Sequence, residues 1–245
     1  MKALLLAAGL GTRLRPLTNM LPKCLVPIND KPLLEYWLEH LTQVGINEFL
    51  INTHYLHVKV EEFINQSKYK DKITLTYEKE LLNTGGTLLE NRDFFNNESF
   101  MLVHADNLSF CDFSAFINAH DKRKNGCEIT MMTFVTDTPS SCGIVKIDED
   151  AVVQEFYEKV ENPPSNLANG AVYICEPSLF AFLEHLNKAN IDFSNDVLPA
   201  FMGKINTFLN DNYHRDIGSL ESYAQAQIDM KNRGTNLAFS PNMRR

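Results

Sequence analysis

The sequence predicts an α/β fold: a Rossmann-like, mostly parallel sheet flanked by helices, with antiparallel additions in its second half. Three observations carry that expectation. Strand and helix patterns alternate from the first residues to about residue 124. The leading strand, Lys2 to Ala8, is apolar without alternation, as befits a strand buried on both faces. From Glu128 onward, β-rich segments follow one another with only turn residues between them, which suggests antiparallel pairing or a small subdomain.

The elements follow in order. After the first strand comes a glycine-bearing loop, Gly9 to Arg13. Asp30 offers an N-cap for a helix with Pro32 early in it; Leu34, Trp37, Leu38, Leu41 and Val44 form its buried stripe, and Gly45 stops it. Strands are expected at Glu48–Asn52, Ile73–Glu78 and Phe100–His104, with helices at Val58–Gln66, Thr87–Arg92 and Phe113–Lys124. Later strands are expected at Glu128–Val135, Gly143–Ile147, Val152–Tyr157 and Ala171–Cys175, and closing helices at Leu179–Leu186 and Leu220–Met230. No repeat or linker divides the chain, so residues 1–231 are expected to form one domain, with 232–245 an aperiodic tail.

Composition narrows the function. The 245 residues are 44% hydrophobic and 22% charged, an ordinary globular balance, and the net charge is −8. A polyanion is repelled by that charge on average, so no nucleic acid partner is expected. The five cysteines are odd in number, widely spaced and without a CxxC pair, which disfavours a disulfide framework or zinc site and favours a reducing, cytoplasmic setting. The opening apolar run is too short for a membrane span or a full signal peptide, so no membrane partner is expected. A homodimer is compatible with the sequence.

The chemistry concentrates in Gly9-Leu10-Gly11-Thr12-Arg13-Leu14-Arg15, directly after the first strand. Glycines there let backbone N–H groups turn toward a ligand with no Cβ in the way. Arg13, Arg15 and Lys23 add fixed positive charge, the combination a polyphosphate requires. The dinucleotide fingerprint fails because Leu14 stands where its third glycine belongs, and the Gly-Lys-Ser/Thr of a P-loop is absent.

Residues 3 to 36 extend the pattern: Ala3-Leu4-Leu5-Leu6-Ala7-Ala8-Gly9, then Pro22-Lys23-Cys24-Leu25-Val26-Pro27, then Lys31-Pro32-Leu33-Leu34-Glu35-Tyr36. This stretch closely resembles the sugar-phosphate nucleotidyltransferase family, which includes guanylyl- and thymidylyltransferases of sugar 1-phosphates. The resemblance continues, more weakly, to about Ala226. It implies the nucleotide-diphospho-sugar transferase type of fold, and a reaction joining a sugar 1-phosphate to the α-phosphate of a nucleoside triphosphate with release of pyrophosphate. Such products serve as cell-surface polysaccharide precursors.

The resemblance also implies roles. Arg13 and Lys23 are the expected catalytic cations. Leu6, Ala8, Gly9, Gly11, Thr12, Glu80, Asn83 and Gly85 are expected at the nucleotide. Asp106, Gly143, Glu158, Lys159, Asn169 and Gly170 are expected at the sugar phosphate. Asp106 and Asp216, each a turn or N-cap residue when read alone, are implied as ligands of Mg2+, a hard cation that takes few carboxylates and completes its shell with water and phosphate. His54, His104 and His120 receive no chemistry, because a sugar phosphate is already an anionic nucleophile. Departures from the family occur at Asn83, Ala105, Val160 and His214, where relatives commonly carry glycine, glycine, proline and tryptophan. They touch base and sugar identity and leave the phosphate machinery intact. Alternatives are a cytidylyl- or uridylyltransferase of another phosphorylated acceptor, such as an amino-alcohol or amino sugar phosphate, and a catalytically silent nucleotide-sugar-binding regulator. A nucleotide-sugar-using glycosyltransferase fits the Arg13 and Lys23 context poorly.

Overall fold

The structure, a computed structural model, describes residues 1–234. The first half contains β1 (Lys2–Leu6), β2 (Pro27–Ile28), β3 (Lys31–Pro32), α1 (Leu33–Gln43), β4 (Phe49–Thr53), α2 (His57–Gln66), β5 (Ile73–Tyr77) and α3 (Asn83–Glu90). Next come β6 (Phe100–His104), β7 (Asn107–Phe110), α4 (Phe113–Asp121), β8 (Ile129–Val135), β9 (Gly143–Ile147), β10 (Val153–Glu158) and β11 (Leu167–Cys175). The chain continues with α5 (Leu179–His185), β12 (Ile205–Leu209), β13 (Tyr213–Asp216) and α6 (Leu220–Gly234). The tail expected over 232–245 lies outside the described residues from 235 onward, and α6 itself reaches Gly234.

The main sheet has nine strands, with the path β10-β9-β11-β6-β1-β4-β5, β8 pairing with β11, and β12 with β8. Its first half is parallel: β1 lies between β6 and β4, and β4 continues to β5. β11 then runs antiparallel to β6, β8 and β9. Successive residues of β1 explain its unbroken apolar run. Ala3 and Leu5 point into a core with Trp37, Leu38 and Leu41 of α1 and Phe116 of α4, whereas Leu4 and Leu6 point into a core with Leu88 of α3 and Leu179 of α5. A strand sandwiched between two helical layers has no polar face to display.

A third, smaller core gathers Leu14, Ile28, Leu33, Leu108, Ile217 and Met230. It ties the loop after β1 to the β2–β3 hairpin, to β7 and to the β13–α6 corner. Over this core, β7 and β13 form their own antiparallel ladder, in which Asp216 pairs with Asn107.

Two expectations are corrected here. Asp30 does not cap α1: Asn29 and Asp30 have φ of 48° and 63° and form the two-residue turn joining β2 to β3. Consecutive left-handed residues match the twist of a tight hairpin, and Asn and Asp tolerate that conformation best after glycine. Pro32 consequently stands just before the helix, at its N-cap. The segment Asn83 to Gly86, expected as a turn ahead of a helix starting at Thr87, is the first turn of α3 itself. Gly85 and Gly86 serve there as close-contact residues, since an added Cβ would fall 2.6 Å from the Ile191 side chain and 2.7 Å from the Ala189 carbonyl respectively.

Trp37 joins the helical layer to the strand leaving the site. It is 1% exposed, and its indole N–H donates to the Asn107 carbonyl at 2.9 Å. Trp37→Phe keeps most of the apolar volume but leaves that buried carbonyl unpaired, so it is expected to cost about 1–3 kcal/mol. Urea unfolding followed by circular dichroism measures the loss; an unchanged midpoint would remove this tether from the account.

Candidate active site

The parallel strands β1 and β6 end side by side, and the loops leaving them form the floor of a cleft. Carboxyl ends of parallel strands are where open α/β sheets gather ligands. After β1, Gly9 has nothing within 4 Å of where a Cβ would stand, so its backbone is open to the cleft. Gly11 is different: with φ of +61°, its missing Cβ would sit 3.0 Å from Thr18 and 3.2 Å from the Cβ of Lys23. The loop is therefore folded tightly onto the segment that carries Lys23. The Thr18 hydroxyl closes the turn by donating to the Gly11 carbonyl at 2.7 Å.

Lys23 is 6% exposed. Its ammonium donates to Asp106 Oδ2 at 2.8 Å and reaches Asp216 Oδ1 at 3.5 Å, although those residues lie 83 and 193 positions away in sequence. A buried ammonium needs such partners, since desolvation alone would favour its neutral form. Asp106 responds in kind. Burial pushes its carboxyl upward, but the charge of Lys23, followed by His104 and by hydrogen bonds from Lys23 and the backbone, more than reverses this, leaving it below the ordinary carboxylate range. Arg13 completes the group: its Nη2 lies 3.2 Å from the position a Cβ on Gly218 would take, and Asp216 Oδ2 lies 2.5 Å from that position. Arg13, Lys23, Asp106 and Asp216 thus converge on one place.

Two cavities flank this cluster. The first, about 190 Å³, is lined by Leu6, Ala8, Gly9, Asn83 and Asp106, all expected site residues, together with Glu78. The second, about 590 Å³, is lined by Arg13, Asp216, His214 and Gly218, with the Thr136–Cys142 loop on its far side. Lys23 bridges the aspartate of one cavity to the aspartate of the other.

Asp106 apart, the expected sugar-phosphate residues form a separate group beside the second cavity. Glu158 pairs with Gly143 across β10 and β9, where an added Cβ would meet Glu158 Oε2 at 2.7 Å. Lys159, with φ of 49°, holds Glu158 Oε1 at 3.1 Å through its ammonium and donates its backbone N–H to the Cys142 carbonyl. Asn169 donates to the Tyr173 hydroxyl at 2.6 Å, and Gly170 lies against Met132 and His214.

Two expected nucleotide residues stand apart. Glu80 is exposed and lines neither cavity, and the buried Gly85 directs its N–H to the Ile191 carbonyl at 2.8 Å. Thr12 sits, exposed, at the start of the helical turn after Gly11.

A buried network went unforeseen. Glu78, 5% exposed, accepts hydrogen bonds from Asn52 Nδ2 at 2.8 Å, the Thr87 hydroxyl, and the Leu82 N–H. Asn52 Oδ1 in turn accepts from the Ala7 N–H at 2.8 Å. These hydrogen bonds connect the start of α3 to the loop after β1. The available signal was Asn52 itself, a polar residue inside the apolar strand Phe49–Thr53. His54 Nδ1 contacts the Glu78 carbonyl at 2.8 Å and plays a structural part.

Lys23→Met tests the charge cluster. It leaves two carboxylates facing each other, and the expected loss is about 1–3 kcal/mol, below that of a fully buried pair because the side chains of Asp106 and Asp216 are 34% and 57% exposed. Urea unfolding of the ligand-free protein reads it; unchanged stability would show that the ion pairs contribute nothing to the fold.

Comparison with known proteins places these features. The profile of a family described as nucleotidyl transferase matches residues 2–233. Mannose-1-phosphate guanyltransferase of Schizosaccharomyces pombe is 32% identical over 234 residues, covering 91% of this chain and 62% of that protein. The chain thus spans less than two thirds of that relative. D-glycero-alpha-D-manno-heptose 1-phosphate guanylyltransferase of Campylobacter jejuni is 31% identical over 224 residues, covering 91% of this chain and 97% of its own length. Among solved structures, HddC from Yersinia pseudotuberculosis complexed with GMP-PN superposes with a TM-score of 0.79 at 25% identity, over 94% of this chain and 99% of the other.

Proposed function

This chain belongs to the nucleotidyl transferase family, and on that premise we propose that it joins a sugar 1-phosphate to the α-phosphate of a nucleoside triphosphate, forming a nucleotide sugar and pyrophosphate. The observation that carries this is the placement of Lys23 between Asp106 and Asp216, at the boundary of two cavities with Arg13 at the rim. One cavity is then the seat of the nucleotide and the other of the acceptor, with the reacting phosphorus where they meet.

The reaction is an in-line displacement. An oxygen of the sugar phosphate forms a bond to the α-phosphorus, the bond from that phosphorus to the bridging oxygen breaks, and pyrophosphate leaves with the electron pair. No proton has to be removed from the nucleophile. The residues are therefore needed for positioning and for charge stabilisation. Gly9 and its neighbours offer backbone donors to the phosphates, and Arg13 and Lys23 neutralise charge that shifts toward the departing oxygens. Lys159, whose ammonium contacts only Glu158 among the described residues, offers a cation to the acceptor phosphate.

Asp106 and Asp216 would hold Mg2+. Their carboxylates converge on one ammonium, and two carboxylates completed by phosphate and water form a donor set suited to that ion. Bound there, Mg2+ supplies charge neutralisation on the phosphates.

The similarity to mannose- and heptose-1-phosphate guanylyltransferases supports GTP and a mannose-like or heptose 1-phosphate as the substrates. Residues 1–231 are proposed as a single catalytic domain. No described helix is long and apolar enough to cross a membrane, and the five free cysteines support a cytoplasmic location.

A panel of nucleoside triphosphates and sugar 1-phosphates with pyrophosphate detection tests the proposal. Turnover with GTP is expected; preference for CTP or UTP with a different phosphorylated acceptor would redirect it, and silence with every pair would favour a regulator. In the active pair, Asp106→Asn and Asp216→Asn are each expected to lower kcat by at least about 100-fold with the fold intact by circular dichroism. Wild-type rates in both would refute the metal assignment. Lys159→Ala is expected to raise KM for the sugar phosphate and leave that of the nucleotide within about twofold, as the loss of a contact to one substrate requires; an effect on the nucleotide alone would misplace Lys159.

A further inference from the structure

We propose that β5 is the edge through which two copies of this chain associate, its Ile73–Tyr77 strand pairing antiparallel with that of a second copy about a two-fold axis at Leu75. The two main sheets would then run on as one.

β5 closes one end of the sheet path and pairs only with β4. The opposite end is guarded. β10 carries a bulge between Val153 and Glu155, and a bridge from Val152 to Asn206 ties the start of that strand to β12. β5 contains no proline, and its register with β4 is unbroken over all five residues. An open edge of this kind presents backbone donors and acceptors to the next strand that arrives.

The bonds that face inward decide which groups face outward. The Thr53 hydroxyl donates to the Thr76 carbonyl at 3.2 Å, and the Glu78 N–H donates to the Thr53 carbonyl at 2.9 Å. Thr74, Thr76 and Glu78 therefore turn their backbone groups toward β4. With the period of two, Ile73, Leu75 and Tyr77 turn theirs away. The Ile73 N–H is already taken by the Lys70 carbonyl. The Ile73 carbonyl and both backbone groups of Leu75 and Tyr77 have no hydrogen-bond partner among the described residues.

An antiparallel copy centred on Leu75 sets these same residues opposite one another. Leu75 meets Leu75 and Tyr77 meets Ile73, both in hydrogen-bonded positions of the ladder. The leucines exchange both bonds, and each Tyr77 N–H reaches the Ile73 carbonyl of the other copy. The side chains agree with the backbone. Tyr77, 56% exposed, comes beside Ile73 as an aromatic and β-branched pair, and Thr74 faces Thr76 on the other side of the sheet.

The charges at the strand's ends identify the occupant as a second copy. Lys70 and Asp71 precede β5, and Lys79 and Glu80 follow it. All four are exposed, and none makes an ion pair among the described residues. In the antiparallel register Lys70 stands opposite Glu80 and Asp71 opposite Lys79, and the two-fold axis repeats each meeting. A shift of two residues either way sets Asp71 against Tyr77 or Leu81 instead. An unrelated strand has no reason to carry these signs in reverse order, whereas a second copy carries them by construction. Glu80, which lines neither cavity, gains a partner in this way.

Sedimentation of the full chain at an ionic strength of about 0.1 M tests the proposal. The wild type is expected to pass from monomer to dimer between about 10 and 100 µM, the range of a small interface. Asp71→Lys and Lys79→Asp each set like charges against each other at both ends of the ladder. Each is expected to raise the dimer dissociation constant about five- to thirtyfold, as two rim pairs turned repulsive require. Mixing the two variants recovers most of the wild-type affinity, because lysines of one chain then meet aspartates of the other at both contacts. Within one chain β5 alone holds positions 71 and 79 more than about 13 Å apart, so rescue on mixing reports a contact between copies. A wild type that stays monomeric at about 100 µM, variants that dimerise as the wild type does, or a mixture that stays monomeric overturns the proposal. Should a variant fail to fold, amide exchange of the wild type decides. The Leu75 and Tyr77 N–H groups gain protection as concentration rises, while the Thr76 N–H is protected throughout; exchange at Leu75 that ignores concentration overturns the pairing. Mass and exchange are read without turnover, so this outcome is separate from that of the proposed activity.

Discussion

The structure around the cleft depends on a single ammonium group. Lys23 is buried, and Asp106 and Asp216 present carboxylate oxygens to its Nζ from two directions. Those aspartates come from different parts of the architecture: Asp106 lies in the turn just past β6, and Asp216 ends β13, outside the main sheet. What aligns them is the β7–β13 ladder, whose register sets Asp216 opposite Asn107, one residue past Asp106. A slip of one residue in that ladder would turn Asp216 to the other face.

The ladder is in turn held by packing. Leu14, Leu108 and Ile217 belong to the same small core, and each is one or two residues from a charged member of the site: Arg13, Asp106 and Asp216 respectively. Apolar neighbours thus fix the charges. This division suits a site that must hold opposite charges at close range, because the hydrophobic residues supply the geometry and the ion pairs need only offset their own desolvation. Trp37 extends the same logic, anchoring the first residue of β7 through its carbonyl.

How much of this was legible depends on whether the cause is local. The unbroken apolar run of β1, the glycines and arginines after it, and the amphipathic stripe of α1 are local patterns, and each stands where it was expected. The Asn29–Asp30 turn is also local, yet it was misread because Asp before Pro32 suits a helix cap as well as a hairpin, and only the pairing of Pro27–Ile28 with Lys31–Pro32 decides between them. The strands β7, β12 and β13 were not expected, since each is at most five residues long and carries polar residues such as Asn107, Asn206 and His214. The start of α3 failed for a different reason. Gly85 and Gly86 read as turn residues, but they stay helical because they pack against Ile191 and Ala189, more than a hundred residues away. For the site, Arg13, Lys23, Asp106 and Asp216 were recognisable by resemblance, whereas Glu78 was hidden: a lone glutamate at a strand end gives no sign that three donors will surround it.

Glu78 also bears on why the first cavity is shaped before any ligand arrives. Its carboxylate has no cation beside it among the described residues, yet three donors meet it, from β4, from α3 and from the loop between β5 and α3. Because Asn52 spends its amide on Glu78 and its carbonyl on Ala7, the strand ends β1 and β4 are locked to the first turn of α3. Stabilising a shifting charge requires donors that do not reorganise during the reaction. The glycine-bearing loop leaves directly from Ala7, so its backbone N–H groups inherit the rigidity of this network. Electrostatics at Lys23 and hydrogen bonding at Glu78 thus constrain the same loop from opposite ends, and Gly9 to Thr12 is left with little freedom except to face the cleft.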